Sequence, residues 1–70
     1  MRYAIVIDKT ENNYGAWVPD LPGCVAVGDT VEEVEQRMRS AIEMHLAGMR
    51  EDGDPIPQPS AIVNYVDVAA

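Results

Sequence analysis

Two aspartates, Asp8 and Asp67, have the clearest potential for chemistry, because each follows a run of β-forming residues. If those runs lay side by side as parallel strands, the two carboxylates would meet at one edge and could hold Mg²⁺ for phosphodiester hydrolysis. A third acidic ligand would have to come from the helix between them. The acidic residues of that helix fall on its predicted solvent face, so the sequence argues against a nuclease and no catalytic residue is assigned.

One histidine and one cysteine complete the set of reactive side chains. His45 lies in an apolar helical stripe without a Ser or Cys nucleophile at a recognisable spacing, which favours a buried, hydrogen-bonded histidine over a general base. Cys24 opens a strand and has no basic neighbour that would activate its thiol, so we interpret it as structural. A lone cysteine excludes an internal disulfide, and neither the His/Cys content nor the glycine spacing predicts a metal or cofactor site.

The elements that must position these residues form one domain, residues 1–70, since a chain of 70 residues has room for one core. The composition, 47% hydrophobic and 24% charged, is that of a folded domain. The net charge of −7 opposes binding to nucleic acid or anionic lipid and suits a basic protein partner. The apolar run at the N-terminus is too short for a signal peptide or a membrane span, which predicts a cytoplasmic protein.

Three strands are predicted in the first part of the chain. Residues 2–8 and 14–18 are rich in β-forming residues and flank a polar turn, which predicts a β-hairpin. A proline-bounded turn at residues 19–23 precedes a short third strand at residues 24–27, which Gly28 ends. The pattern predicts an antiparallel meander.

A helix at residues 31–51 is predicted next, because Thr30 and Glu33 have the spacing of a capping box and Gly53 is a plausible terminator. Its sheet-facing stripe comprises Val31, Val34, Met38, Ala41, Ile42, His45 and Met49. A proline-rich connector at residues 54–59 leads to a fourth strand at residues 61–66, expected to return parallel to the first by a right-handed crossover. The predicted fold is α+β, in the order β-β-β-α-β, with a four-stranded mixed sheet of order 3-2-1-4 and one helix on one face.

Strands one and four are predicted to be apolar on both faces, whereas the chain has one helix to cover them. An apolar sheet face left in water indicates an association surface, and a second copy is its simplest cover, so we expect a homodimer or a tetramer. The alternative is that scattered apolar residues on this face are tolerated in a monomer.

Partner contacts are predicted at three places. Trp17, Asp20 and Leu21 combine an aromatic anchor with a proline-stiffened loop, although Trp17 is equally compatible with a core position. The acidic helix start, Asp29, Glu32 and Glu33, could meet a cationic partner or simply be solvated. Met44 lies outside the apolar stripe, among polar residues. Its flexible thioether suits an adaptable contact surface there, or it is exposed incidentally.

The sequence resembles the HicB-like antitoxins in three ordered segments: VPDLPGC at 18–24, GDTVEE at 28–33 and GDPIPQPS at 53–60. The resemblance implies a partial ribonuclease-H-like fold that assembles into dimers or tetramers. It also implies a non-enzymatic protein that neutralises a small basic ribonuclease toxin of the HicA type by covering the toxin's RNA-cutting site.

Many of these antitoxins also carry a C-terminal DNA-binding domain, whereas this sequence stops shortly after the predicted fourth strand. We therefore expect no direct nucleic-acid binding by the chain itself. Short versions without a toxin partner leave a second interpretation open, namely an orphan oligomeric module of the same fold.

Overall fold

The computed structural model describes residues 1–69, which form three strands and one helix. The strands are β1 (Val6–Lys9), β2 (Tyr14–Trp17) and β3 (Val25–Gly28), and the helix is α1 (Val31–Glu51). The sheet order is β1-β2-β3 and both pairings are antiparallel. The predicted meander and the α+β class with a helix on one face are therefore confirmed.

The register of the strands divides the sheet into two chemically different faces. Ile7, Ala16 and Ala26 form one row across the sheet and pack in or against the core under α1. Side chains alternate along a strand, so the neighbouring rows point away from the helix. These rows form a surface that we name the open face: Val6, Trp17 and Val25 in one row, and Asp8, Gly15 and Val27 in the next.

Both ends of α1 are closed by local hydrogen bonds, which explains why its observed bounds equal the predicted ones. At the start, the Thr30 hydroxyl oxygen accepts from the Glu33 N–H at 3.1 Å, and the Glu33 carboxylate accepts from the Asp29 N–H at 3.1 Å. At the end, Gly53 adopts a left-handed conformation, with φ of 73°, and its N–H donates to the Arg50 carbonyl. The Asp54 N–H donates to the Met49 carbonyl at 2.9 Å, which completes a Schellman motif.

The core lies between α1 and the β2–β3 side of the sheet. Its buried residues are Ala16, Val18, Leu21, Cys24, Val34, Met38 and Leu46. At Gly28 the backbone approaches the helix so closely that a Cβ atom would lie 2.9 Å from the Val34 nitrogen, which only glycine avoids. This contact fixes the distance between β3 and the first turn of α1.

The predicted helix stripe was partly wrong. Leu46 is buried although the stripe omitted it, whereas Val31 is exposed and His45 is half-buried rather than a buried core histidine. The reason is the width of the sheet: three short strands cover a narrower strip of α1 than four would, so residues at the margins of the stripe stay in contact with solvent. Of the residues described, no helix has the length and apolar character needed to cross a bilayer.

The predicted four-stranded mixed sheet of order 3-2-1-4 was wrong. Residues 61–69 form no strand, and Ile62, Tyr65 and Val66 are each more than 80% exposed. A β-forming composition makes a strand only where an aligned edge accepts its ladder hydrogen bonds, and the chain does not bring this segment to such an edge. Strand β1 also begins later than predicted, at Val6, because its partner β2 ends at Trp17 and residues 2–5 extend beyond it.

Candidate functional site

The loop between β2 and β3 contains two of the predicted partner residues, Asp20 and Leu21, and is ordered by its own hydrogen bonds. The Leu21 N–H donates to the Val18 carbonyl, and the Cys24 N–H donates to the Leu21 carbonyl, each at 3.1 Å. The second of these turns has Pro22 followed by Gly23 with φ of 85°, as a type II turn requires. Leu21 is 0% exposed at the centre of this loop, so its side chain belongs to the core and is not available to a partner.

The carboxylate of Asp20 is bonded within the chain. One oxygen accepts from the backbone N–H groups of Ser60 and Ala61 at 3.0 and 3.1 Å, and the other accepts from the Ser60 hydroxyl at 2.8 Å. These bonds, the Ser60 N–H first, lower the pKa of the Asp20 carboxyl. We name this contact the Asp20 clamp. Asp20 was predicted to contact a partner. In the structure its carboxylate instead bonds the β2–β3 loop to the end of the connector.

The open face is the principal apolar surface of the sheet. Trp17 is 44% exposed there, which answers the question left by the sequence, since the indole is not in the core. Val25 and Val27, which are 64% and 57% exposed, extend the same surface across β3. Sequence reasoning did not name these two valines as partner residues, although their alternation with the helix-facing Ala26 carried the signal. An aromatic anchor among exposed aliphatic side chains is the composition of a protein-binding surface.

The acidic start of α1 is less uniform than the sequence suggested. Asp29 and Glu32 are exposed, but the Glu33 carboxylate pairs with Arg37 at 3.0 Å. Arg37 also donates to the Val27 carbonyl at 2.9 Å, so it connects the helix to β3. The charge of Glu33 is therefore partly compensated, and Asp29 and Glu32 are better placed to attract a cationic partner.

Met44 is 75% exposed, near the middle of α1. It adjoins a shallow depression whose exposed lining is mainly apolar and belongs to the helix layer, whereas Trp17 lies on the opposite side of the sheet. The structure thus places Trp17 and Met44, two of the predicted partner residues, on different surfaces.

The geometry for metal-dependent catalysis is not formed by the described residues. Asp8 lies on β1 in the open face, but the described residues form no fourth strand that would place Asp67 beside it. Residues 1–69 contain no group of three or more His, Cys, Asp and Glu side chains that could hold a metal ion. Cys24 is buried and its burial raises the pKa of the thiol, which is consistent with the predicted structural role.

Residues 3–69 match a family model described as a HicB-like antitoxin of bacterial toxin-antitoxin systems. Among individual relatives, a protein of Haemophilus phage HP1 is 39% identical over 96% of this chain and 50% of its own length. A UPF0150 protein of Helicobacter pylori is 45% identical over 67% of this chain and 65% of its own length. The chain therefore spans one half to two thirds of these two relatives. A UPF0150 protein of Synechocystis is 31% identical over 94% of this chain and 85% of its own.

The fold is similar to that of a chain in a solved complex named "HicA3 and HicB3 toxin-antitoxin complex". The two structures superpose with a TM-score of 0.73 and 28% sequence identity, covering 84% of this chain and 70% of the other. The likeness therefore extends well beyond the three short segments that carried the resemblance in sequence.

Proposed function

Because the chain belongs to the HicB-like antitoxin family, we propose that it binds a small, basic ribonuclease toxin of the HicA type and blocks its RNA-cutting site. The chain acts in this proposal as a binding protein and performs no catalysis. It works in the cytoplasm, where such a toxin meets its RNA.

The open face is the observation that carries this proposal. Trp17 is a large aromatic residue, exposed between Val6 and Val25, and residues of this type supply much of the binding energy at protein interfaces. The surface is made of backbone-paired strands, so its side chains are held in position before binding and little conformational entropy is lost on association. A face of this kind suits the occlusion of a protein surface better than the capture of a small molecule.

The acidic charge of the chain indicates which surface of the toxin it would bind. The chain has twelve acidic and five basic side chains, and Asp8 lies within the open face in the row of Val27. A protein that binds RNA carries a positive surface, so an acidic partner is attracted to that same surface and competes with RNA for it. Electrostatic attraction therefore favours the toxin's RNA-binding side over its other surfaces.

The test is co-expression of this chain with any small basic protein that is encoded next to it, followed by co-purification and an RNA cleavage assay. We expect a stable complex in which cleavage is suppressed. Trp17→Ser should weaken the complex roughly thirtyfold, as the loss of an interface hot spot of about 2 kcal/mol implies. Tyr65→Ser is the matched control, since this aromatic residue is 94% exposed outside the open face.

Equal inhibition by Trp17→Ser and by the unchanged protein would refute the open face as the toxin-binding surface. If the neighbouring protein neither binds this chain nor cleaves RNA, the antitoxin proposal fails. The interpretation as an orphan module of this fold then replaces it.

A further inference from the structure

The segment of residues 62–69 is unusual because it is both strongly β-forming and exposed. It contains five large apolar residues, with exposures of 86%, 48%, 94%, 82% and 78% for Ile62, Val63, Tyr65, Val66 and Val68. We name this segment the tail. Its exposure is reflected in the dimensions of the molecule, since the Cα radius of gyration is 13.7 Å. A compact chain of this length has roughly 11 Å.

The outer edge of β1 is the second feature. β1 is the first strand in the order β1-β2-β3, so in the described sheet its outer N–H and C=O groups face no neighbouring strand. Such an edge accepts an added strand by main-chain hydrogen bonding. Residues 2–9 and residues 62–69 are both eight residues long, so the tail matches the acceptor when both are extended.

A groove beside this edge offers space for the side chains of an added strand. Helix α1 packs mainly over β3 and β2, and therefore leaves the margin beyond β1 less covered. There the N-terminal residues and the helix enclose an open groove of about 550 Å³. Its floor is apolar, with Tyr3, Ile5, Met38, Ile42 and Leu46, and its rim is charged, with Arg2, Glu35, Arg39, Glu43 and Arg50. This is where the inward side chains of a fourth strand would lie.

The tail of the same chain does not fill this groove. Its base is held by the Asp20 clamp, and the Tyr3 hydroxyl donates to the Pro57 carbonyl just before it. From Ile62 onward the side chains stay in solvent. Donor and acceptor are therefore both present in one molecule and unused by it, which is the condition under which identical chains exchange a segment.

We propose that the tail of one copy adds as a strand to the outer β1 edge of a second copy, and that the exchange is reciprocal, giving a closed two-fold dimer. Ile62, Asn64, Val66 and Val68 form one face of the extended tail and enter the groove, because three of these four side chains are aliphatic. Tyr65 and Asp67 then point away from the groove, where their polar groups remain hydrated. This contact uses a different surface from the proposed toxin contact, since it involves the sheet edge and leaves the open face uncovered.

The test compares the mass in solution of the full chain with that of Val66→Asp, by light scattering across micromolar concentrations. We expect a dimer for the unchanged chain, and a dissociation constant raised roughly a hundredfold in Val66→Asp, because a carboxylate replaces the aliphatic side chain that packs on Ile5 and Ile42 in this proposal. Val66 is 82% exposed in the single chain, so the variant should still fold, as circular dichroism would show. Val25→Asp, on the open face, is the matched control and should keep the dimer.

A second measurement locates the contact directly. In a mixture of isotope-labelled and unlabelled chains, filtered nuclear Overhauser spectra should show contacts from Val66 of one copy to Ile42 of the other. A monomer, a mass that keeps growing with concentration, or a dimer that Val25→Asp dissociates and Val66→Asp does not, would each overturn the proposal. The last result would assign the contact between copies to the open face.

Discussion

The interior between α1 and the strands β2 and β3 is completely packed, whereas the outer edge of β1 and the tail are not. In the first region the seven buried core residues are enclosed and both helix ends have hydrogen-bonding partners. In the second, large apolar side chains and one strand edge face solvent. We infer that the packed interior supplies most of the stability of the single chain, and that the proposed contact between copies uses a surface that contributes little to it.

The largest expected effect contrasts two methionines of the same helix. Met38 is 1% exposed and Met44 is 75% exposed. Met38→Ala should lower the free energy of unfolding by about 2–5 kcal/mol, because it leaves a cavity under α1. Met44→Ala should change it by no more than about 0.5 kcal/mol. Denaturant unfolding measures both, and similar losses at the two positions would contradict the division into regions.

The close approach of β3 to α1 gives the next effect. Gly28→Ala places a Cβ atom against the Val34 backbone and should destabilise the fold by about 1–3 kcal/mol. Gly48 lies in the last turn of α1 with open space where a Cβ atom would be, so Gly48→Ala should stabilise by roughly 0.5–1 kcal/mol. Thermal unfolding of the two variants should therefore shift in opposite directions, and a shift in the same direction would disprove the contact.

A smaller effect is expected at the first turn of α1. Thr30→Ala removes the oxygen that accepts from the Glu33 N–H and should cost about 1 kcal/mol. Ser40→Ala is the control on an exposed mid-helix position, where the intrinsic preference for alanine predicts a change of roughly 0.5 kcal/mol in the stabilising direction. The unfolding midpoint of Ser40→Ala should therefore lie above that of Thr30→Ala, and the reverse order would contradict the role of the cap.

The smallest effect concerns the Asp20 clamp and depends on pH. The carboxyl has its pKa lowered from 3.8, so the clamp contributes fully above that value and is lost as pH falls through the lower folded-state pKa. The amide resonances of Ser60 and Ala61 should report this loss in an acid titration monitored by NMR. In Asp20→Asn the same resonances should lack the transition, and an unchanged titration there would show that another group causes it.

Local signals made part of this fold predictable from sequence. The bounds of α1 depend on Thr30, Glu33 and Gly53, all within or next to the helix, so the prediction needed no distant contact. The hairpin and the Pro22-Gly23 turn are likewise determined by neighbouring residues. These were the parts that the structure confirmed.

Non-local contacts were not predictable in the same way. Residues 61–66 have the composition of a strand, but whether they pair depends on an edge more than fifty residues away in sequence. Leu46 belongs to the core although the predicted stripe omitted it. Asp20 was predicted for a partner because no sequence signal connects it with Ser60, 40 positions later. The sequence predicted that one apolar face of the sheet would lack a covering helix, but it did not identify Val25 and Val27 as part of that face.

The Asp20 clamp has a consequence for how the two surfaces communicate. Asp20 lies three residues after Trp17 and bonds the two residues that immediately precede the tail. Any ligand that shifts this loop, whether from the tryptophan side or from the tail side, perturbs the same carboxylate. Coupling through this loop would make the proposed toxin contact and the proposed contact between copies alter each other's affinity by an equal factor in both directions.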